Sequence, residues 1–180
     1  MRHSIRLGLA LAFVSVTAAG CKKKDAPKPA PAPVAAPAAP VAPAAREPDP
    51  AGAEAMRTLG GRLSYEAGHR PSGTVRVEDV MTAFGAAGVT LIQVKQYIAL
   101  TAAASYCAGG RTAEGLAIAV CEYDSPAAAA AGRDHVLKTF ANVAGRQITI
   151  RGATSLTTTA PDGADVAVLR AKAEQAFSTL

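Results

Sequence analysis

Several motifs on which common enzyme classes depend are missing from this chain of 180 residues. It contains no Gly-x-Ser-x-Gly, no Ser-x-x-Lys, no His-Glu-x-x-His and no phosphate-binding glycine loop. It also has no Cys-x-x-Cys, so the sequence does not indicate a dithiol redox role. The sequence therefore assigns no catalytic, cofactor-binding or metal-binding residue, and it favours a non-catalytic domain over an enzyme.

An excess of charge of one sign is also missing from the part of the chain that is expected to fold. The whole chain carries a formal charge of +5, but residues 52–180 contain 12 Lys and Arg against 11 Asp and Glu. A nearly neutral domain lacks the basic surface that binds phosphate backbones. We therefore expect no nucleic-acid partner.

The N-terminus carries an apolar run that is too short to cross a membrane. Leu7 to Val16 (LGLALAFVSV) is ten residues long, whereas a bilayer requires about 20. Arg2 and Arg6 precede the run, and the small residues of segment 17–20 follow it. A basic start, an apolar centre and a small-residue end are the three parts of an export signal.

The end of this signal, Ala18-Ala19-Gly20-Cys21, resembles the lipobox of bacterial lipoproteins, Leu-[Ala/Ser]-[Gly/Ala]-Cys. The resemblance implies a diacylglyceryl thioether on Cys21, removal of residues 1–20 and a fatty acyl chain, such as palmitate, on the new amino group. The chain departs from the motif at Ala18, where Leu is usual, and the match covers only the signal. An ordinary cleaved secretory signal and an uncleaved anchor are the alternatives.

The residues after Cys21 bear on the choice of membrane. In many lipoproteins of this kind, Asp next to the cysteine marks retention at the inner membrane, and Lys22 stands there in this chain. The resemblance therefore implies a periplasmic, lipid-anchored protein of the outer membrane rather than the inner one. Its partners would be the membrane, through Cys21, and a protein or cell-wall component of the envelope. The lysines of segment 22–24 either add attraction to anionic lipid or are solvated.

Proline then separates this anchor from the rest of the chain. Nine of the 12 prolines lie between Pro27 and Pro50. Such Pro/Ala composition is typical of a disordered, extended linker, and at about 3.1 Å per residue these 24 residues span at most roughly 70 Å. The sequence thus predicts a signal peptide in residues 1–20, a lipidated cysteine and linker in 21–51, and a globular domain in 52–180.

Two cysteines remain in the domain, and an exported compartment favours a disulfide between them. Pairing Cys107 with Cys121 in an antiparallel hairpin centres the turn on Glu114 and brings the two side chains together. Gly109, Gly110 and Gly115 are the residues expected to form this turn. Two free buried thiols are one alternative, and a zinc site completed by His135 is another.

The pattern of apolar residues predicts the order helix, strand, strand, helix, strand, strand, helix in the domain. Hairpins between helices indicate an α+β fold: a single two-layer sandwich of an antiparallel sheet with helices on one face. The predicted elements are helix 77–87, strands 97–107 and 116–123, helix 126–144, strands 146–151 and 155–159, and a last helix opening at Pro161-Asp162.

Three details of this prediction concern packing. A short helix over residues 52–59 is expected to break at Gly60-Gly61. Val136, Phe140 and Val143 are expected to line the buried side of the fourth predicted element. Because aromatic residues make up only 4% of the chain and Trp is absent, the helices should pack close to the sheet, with Phe84, Phe140 and Phe177 in a single core.

Two groups of polar residues are candidates for chemistry. Glu122 and Asp124, at alternate positions on a strand, could form a glycosidase pair, although acids at a strand end are more often caps or solvated. Four arginines could gather into an anion site, or serve only solubility: Arg133, Arg146, Arg151 and Arg170.

Two functions follow from these observations. The first is an envelope lipoprotein whose non-catalytic domain binds or supports another component from a Pro-rich spacer. The alternative is an envelope hydrolase or transferase, which requires a concave cluster of titratable groups around Glu122, Asp124 or His135.

Overall fold

The computed structural model describes residues 50–160 and 164–180. The signal, the lipobox with Cys21, almost all of the predicted linker and the helix start at Pro161-Asp162 lie outside the described residues. In chain order the elements are α1 (Pro50–Ala55), α2 (Leu59–Gly68), α3 (Val77–Ala86), β1 (Ile92–Tyr97), a 3₁₀ helix (Ala99–Ala102), β2 (Tyr106–Arg111), β3 (Ala117–Glu122), α4 (Pro126–Thr139), β4 (Arg146–Arg151), β5 (Thr154–Thr159) and α5 (Ala164–Thr179).

The strands form one five-stranded antiparallel sheet in the order β1-β2-β3-β5-β4. The α+β class and the antiparallel sheet are confirmed. The central strand β3 has buried apolar residues on both of its faces. Such a strand requires cover on both sides, because each exposed apolar face would cost free energy in water.

Helices supply that cover on both faces, which differs from the expected placement on one. Ile118 and Val120 share a core with residues of α3 and α5, including Phe84 and Phe177. Cys121 and the following Tyr123 belong to a second core, with residues of the 3₁₀ helix and α4. Since successive strand residues point to opposite faces, α4 lies across the sheet from α3 and α5. The predicted single core is therefore wrong, because the sheet divides the apolar residues into two clusters.

The β2–β3 hairpin has the register that the sequence predicts. Cys107 lies opposite Cys121, and the structure joins their sulfur atoms in a disulfide. The assignment of all three glycines to the turn is wrong for two of them. Gly109 and Gly110 lie within β2, where a Cβ atom would stand 2.0 Å from the carbonyl oxygen of Ile118 or 2.8 Å from that of Ile92. Neighbouring strands approach too closely there for a side chain.

Two local predictions of secondary structure are wrong, because tertiary or capping contacts override the local preferences of the residues for helix or strand. Gly60 and Gly61 do not break a helix; they lie in the first turn of α2, where the Thr58 hydroxyl accepts a hydrogen bond from the Gly61 N–H at 3.0 Å. The predicted strand from Tyr97 to Cys107 is interrupted by the 3₁₀ helix, whose last residue is followed by Ala103 in the left-handed region.

The prediction for the end of α4 is also partly wrong. Val136 is buried, but Phe140 and Val143 lie beyond the helix and are each 38% exposed. Phe140 instead packs beneath the guanidinium group of Arg146, whose Cζ lies 5.0 Å from the ring centroid. The start of α4 is as predicted: Ser125 caps the Ala128 N–H at 3.1 Å and Pro126 is the first helical residue.

We expect Gly132→Ala to destabilise the domain. Gly132 is buried in α4, and a Cβ atom there would lie 2.3 Å from Cε1 of Tyr123 and 2.7 Å from its hydroxyl oxygen. Because the Tyr123 ring is itself fully enclosed, the clash should cost about 1–3 kcal/mol. The measurement is the free energy of unfolding in urea.

The matched control is Gly85→Ala in α3, where no atom lies within 4 Å of an added Cβ. That substitution should stabilise the domain by about 0.5–1 kcal/mol, since alanine adopts helical backbone at a lower entropic cost than glycine. Equal effects of the two substitutions would contradict close packing of α4 on Tyr123.

Candidate functional site

The carboxylate of Glu122, at the end of β3, is fully buried and has four donors around it. Its Oε1 accepts from the backbone N–H of Val77 at 2.8 Å and from Nη2 of Arg70. Its Oε2 accepts from Nε of Arg70 at 3.0 Å and from Nη1 of Arg76 at 3.4 Å. Both oxygens are thus held by charge-assisted hydrogen bonds.

Arg70 joins this carboxylate to a second one. Its Nη1 and Nη2 each donate to an oxygen of Glu78 at 2.7 Å, and its Cζ lies 4.1 Å from the centroid of the Tyr106 ring. These hydrogen bonds from Arg70 lower the pKa of Glu78 below its ordinary value. In turn, the hydrogen bonds to Glu78 and Glu122 raise the pKa of Arg70. We call Arg70, Arg76, Glu78, Tyr106 and Glu122 the ionic cluster.

The local sequence explains why a residue of the sheet reaches the start of α3. Arg76, the N-cap residue of α3, makes no side-chain hydrogen bond to the first turn. The first turn therefore leaves backbone N–H groups without a partner, and the carboxylate of Glu122 takes the one at Val77. A negative charge is favourable at that end of the helix dipole. Glu122 thus acts as a cap supplied by a strand 45 residues away.

The ionic cluster is suited to holding α3 and the preceding loop on the sheet. Because the oxygens of Glu122 are enclosed and already bonded, they offer no open position to a substrate. The expected companions of Glu122 lie elsewhere: Asp124 is exposed and accepts from the Ser105 hydroxyl at 3.0 Å, and His135 is exposed on α4. The structure does not bring Glu122, Asp124 and His135 into one cluster.

The cysteines and histidines that the structure describes are likewise not arranged around a common point. Cys107 and Cys121 are buried in the second core and bonded to each other. His69 ends α2, where its ring stacks on Tyr65 with the centroids 3.9 Å apart. Within the described ranges, no group of three or more His, Cys, Asp or Glu side chains is placed to hold a metal ion.

The four arginines that could have formed an anion site each have a separate contact. Arg133 pairs with its neighbour Asp134 at 2.8 Å. Arg146 lies over Phe140, Arg151 donates to the carbonyl oxygen of Ser178, and Arg170 donates to the carbonyl oxygen of Gly145. Three of these arginines are therefore associated with β4 or its flanks, whereas Arg133 lies apart from them on α4.

Two adjoining open grooves lie along α3, with volumes of about 640 and 510 Å³. They share Ala83 and Ala86, and Asp79 and Lys172 are the charged residues that line them. The first groove adds Thr74 and Thr82 to its acid, and the second adds Gln175 and Thr179 to its amine. Because both grooves are open, they do not enclose a small ligand as a typical ligand pocket does.

No family model, curated protein or solved structure matches the chain. In the region that the structure covers, no helix combines the length and the apolar character needed to span a bilayer.

The ionic cluster is the feature that sequence reasoning missed. Leu116, Ile118 and Val120 already indicated one buried face of β3, and the same alternation places Glu122 on that face. A buried carboxylate is normally paired with a cation and held by hydrogen bonds. The sequence signal was therefore present for the burial of Glu122, but none pointed to Arg70, which is 52 residues away.

Proposed function

We propose that this protein is a lipid-anchored lipoprotein of the bacterial envelope, with a non-catalytic binding or structural domain on a Pro-rich spacer. The observation that carries the proposal is Ala18-Ala19-Gly20-Cys21 at the end of an apolar run, followed at once by the lysines and the Pro/Ala segment. Lys22 beside the cysteine favours the outer membrane over the inner. The membrane is the first partner, and an envelope protein or wall component is the second.

The chemistry of the domain supports a binding role rather than catalysis. The buried acid that a hydrolase would need near its substrate, Glu122, is fully occupied by two arginines and a backbone N–H. The other two groups considered for catalysis, Asp124 and His135, are exposed and do not cluster with it. What the domain presents to solvent is helix surface and the two edges of a sheet.

Mass spectrometry of the protein purified from its own membranes tests the proposal. We expect residues 1–20 to be absent, Cys21 to carry diacylglycerol and an N-terminal acyl chain, and the Cys107 and Cys121 peptides to be linked under non-reducing conditions. A second sample is reduced and alkylated before digestion. Detection of the alkylated Cys107 peptide in this sample is the control for peptide recovery. An unmodified Cys21 on a chain that keeps its leader would contradict the proposal.

A further inference from the structure

The two edges of the sheet differ in how open they are to another strand. At one edge, the pairing of β1 with β2 shifts between Ile92 and Lys95, and Gln93 adopts a φ of 55°. Such a bulge twists an edge and hinders pairing with a further strand. At the other edge, β4 pairs with β5 through all six residues without a shift, and it contains no proline. Only the β1 edge is interrupted.

The hydrogen bonds of the sheet show which backbone groups of β4 face outward. The Tyr123 N–H donates to Ala153 at 2.8 Å, and the Ala160 N–H donates to Gly145 at 3.2 Å. Along an antiparallel pair, the backbone N–H and C=O groups of successive residues alternately face the partner strand and face away from it. The two bonds above therefore place the N–H and C=O groups of Arg146, Ile148 and Ile150 on the side away from β5. In the described part of the chain, these outward groups have no backbone partner.

The charge along this edge is positive. Arg146 and Arg151 stand at the two ends of β4, and Arg170 lies against the turn before it. Among the carboxylates whose side chains the structure describes, none is paired with any of these three arginines. Side chains of an added strand would therefore meet arginine at both ends of β4, with Gln147 and three β-branched residues between them.

We propose that the open edge of β4 binds an extended acidic peptide segment of a partner protein as a sixth antiparallel strand. This deepens the proposed function and rests on its binding role. Backbone hydrogen bonds would give the strand its affinity, and acidic residues opposite Arg146 and Arg151 would set its register. A second copy of this chain is a poorer occupant, because edge-to-edge pairing would bring four arginines together.

A synthetic peptide tests the proposal on the full mature protein in detergent. The probe is acetyl-Asp-Thr-Val-Thr-Val-Asp-amide, whose two Asp residues are five positions apart like Arg146 and Arg151, and the control probe has Lys in place of both Asp residues. We expect the Asp peptide to bind and to slow amide hydrogen exchange at Arg146, Ile148 and Ile150. Exchange at Gln96, on the bulged edge strand, should stay unchanged. The Lys peptide should bind at least about tenfold more weakly.

Variants distinguish binding of the peptide at the β4 edge from a general effect of charge on peptide binding. Arg146→Glu and Arg151→Glu should each weaken binding about tenfold. Arg111→Glu, an exposed residue at the end of β2, makes the same charge change near the other edge and should alter binding less than about twofold. Ile148→Pro removes an outward N–H without removing a bond to β5, so binding should be lost. A thermal melt establishes that each variant is folded.

Three results would overturn the proposal: no binding of the Asp peptide at millimolar concentration, protection away from β4, or protection of β4 by self-association without peptide. The proposed function fails on a different measurement, the mass of the N-terminus of the membrane-purified protein. A lipidated protein that ignores the peptide would refute only this binding mode.

Discussion

Replacing Glu122 with alanine is expected to remove a large part of the stability of the domain. The substitution removes the buried one of the two carboxylates that bind Arg70, whose side chain is 17% exposed, and it leaves the Val77 N–H without an acceptor. Removing one partner of a buried ion pair typically costs about 3–5 kcal/mol. Since domains are stable by about 5–15 kcal/mol, the midpoint of thermal unfolding should fall by about 10–20 °C. Circular dichroism during heating measures this shift.

Glu78→Gln is the matched control, because Glu78 binds the other side of the same guanidinium group. Its side chain is 62% exposed, so the loss of its pairing should cost less than about 1 kcal/mol. Glu122→Gln should fall between the two, since an amide oxygen still accepts from Val77 while the charge is lost. If Glu122→Ala and Glu78→Gln shift the midpoint equally, the ionic cluster does not hold the fold as we describe.

The pKa of Glu78 gives this region a defined pH dependence. Its hydrogen bonds from Arg70 lower the pKa in the folded state relative to the unfolded state. The contribution of Glu78 is therefore present above its unfolded pKa and is lost as the pH falls through the lower, folded value. Because the side chain is largely exposed, solvent screening makes this contribution small.

The fold was predictable where a local pattern determines the outcome. Ser125 and Pro126 identify the start of α4, and the spacing of Cys107 and Cys121 gives the register of the β2–β3 hairpin. The sides of the sheet that the helices cover were not predictable in the same way. Helical periodicity orients a helix toward a sheet, but it does not say which face of the sheet it meets. The apolar residues on both faces of β3 were the one available indication.

The ionic cluster and the open edge depend on distant parts of the chain. Glu122 is buried because alternation continues to the end of β3, yet its partners come from the loop before α3. The position of β4 at an edge follows from the crossed order β3-β5-β4, which hairpin patterns alone do not give. Local patterns predicted which residues form strands, whereas the structure was needed to show which strands are neighbours in the sheet.

Replacing Cys21 with serine is expected to release the protein from the membrane fraction. Each buried methylene contributes about 0.8 kcal/mol, and one acyl chain binds only marginally, whereas two or three chains make attachment effectively permanent. Serine offers no sulfur for the thioether. The lysines of segment 22–24 would then add only about 1 kcal/mol each. A wash in about 1 M salt reduces the Debye length to about 3 Å and removes that attraction. Immunoblots of washed membranes and supernatant measure the distribution.

Cys107→Ser is the control, because it makes the same chemical change in the domain and leaves the anchor intact. It should remain with the membranes, although loss of the disulfide should lower the stability of the domain by about 3 kcal/mol. In a further variant, an ordinary cleavable leader replaces residues 1–21. Cleavage removes this leader with its apolar segment, and the mature chain then has no Cys21. The variant therefore distinguishes lipid attachment from retention by an uncleaved leader. If this variant still sediments with salt-washed membranes, attachment does not depend on Cys21. The membrane contact would then have to lie in the rest of the chain.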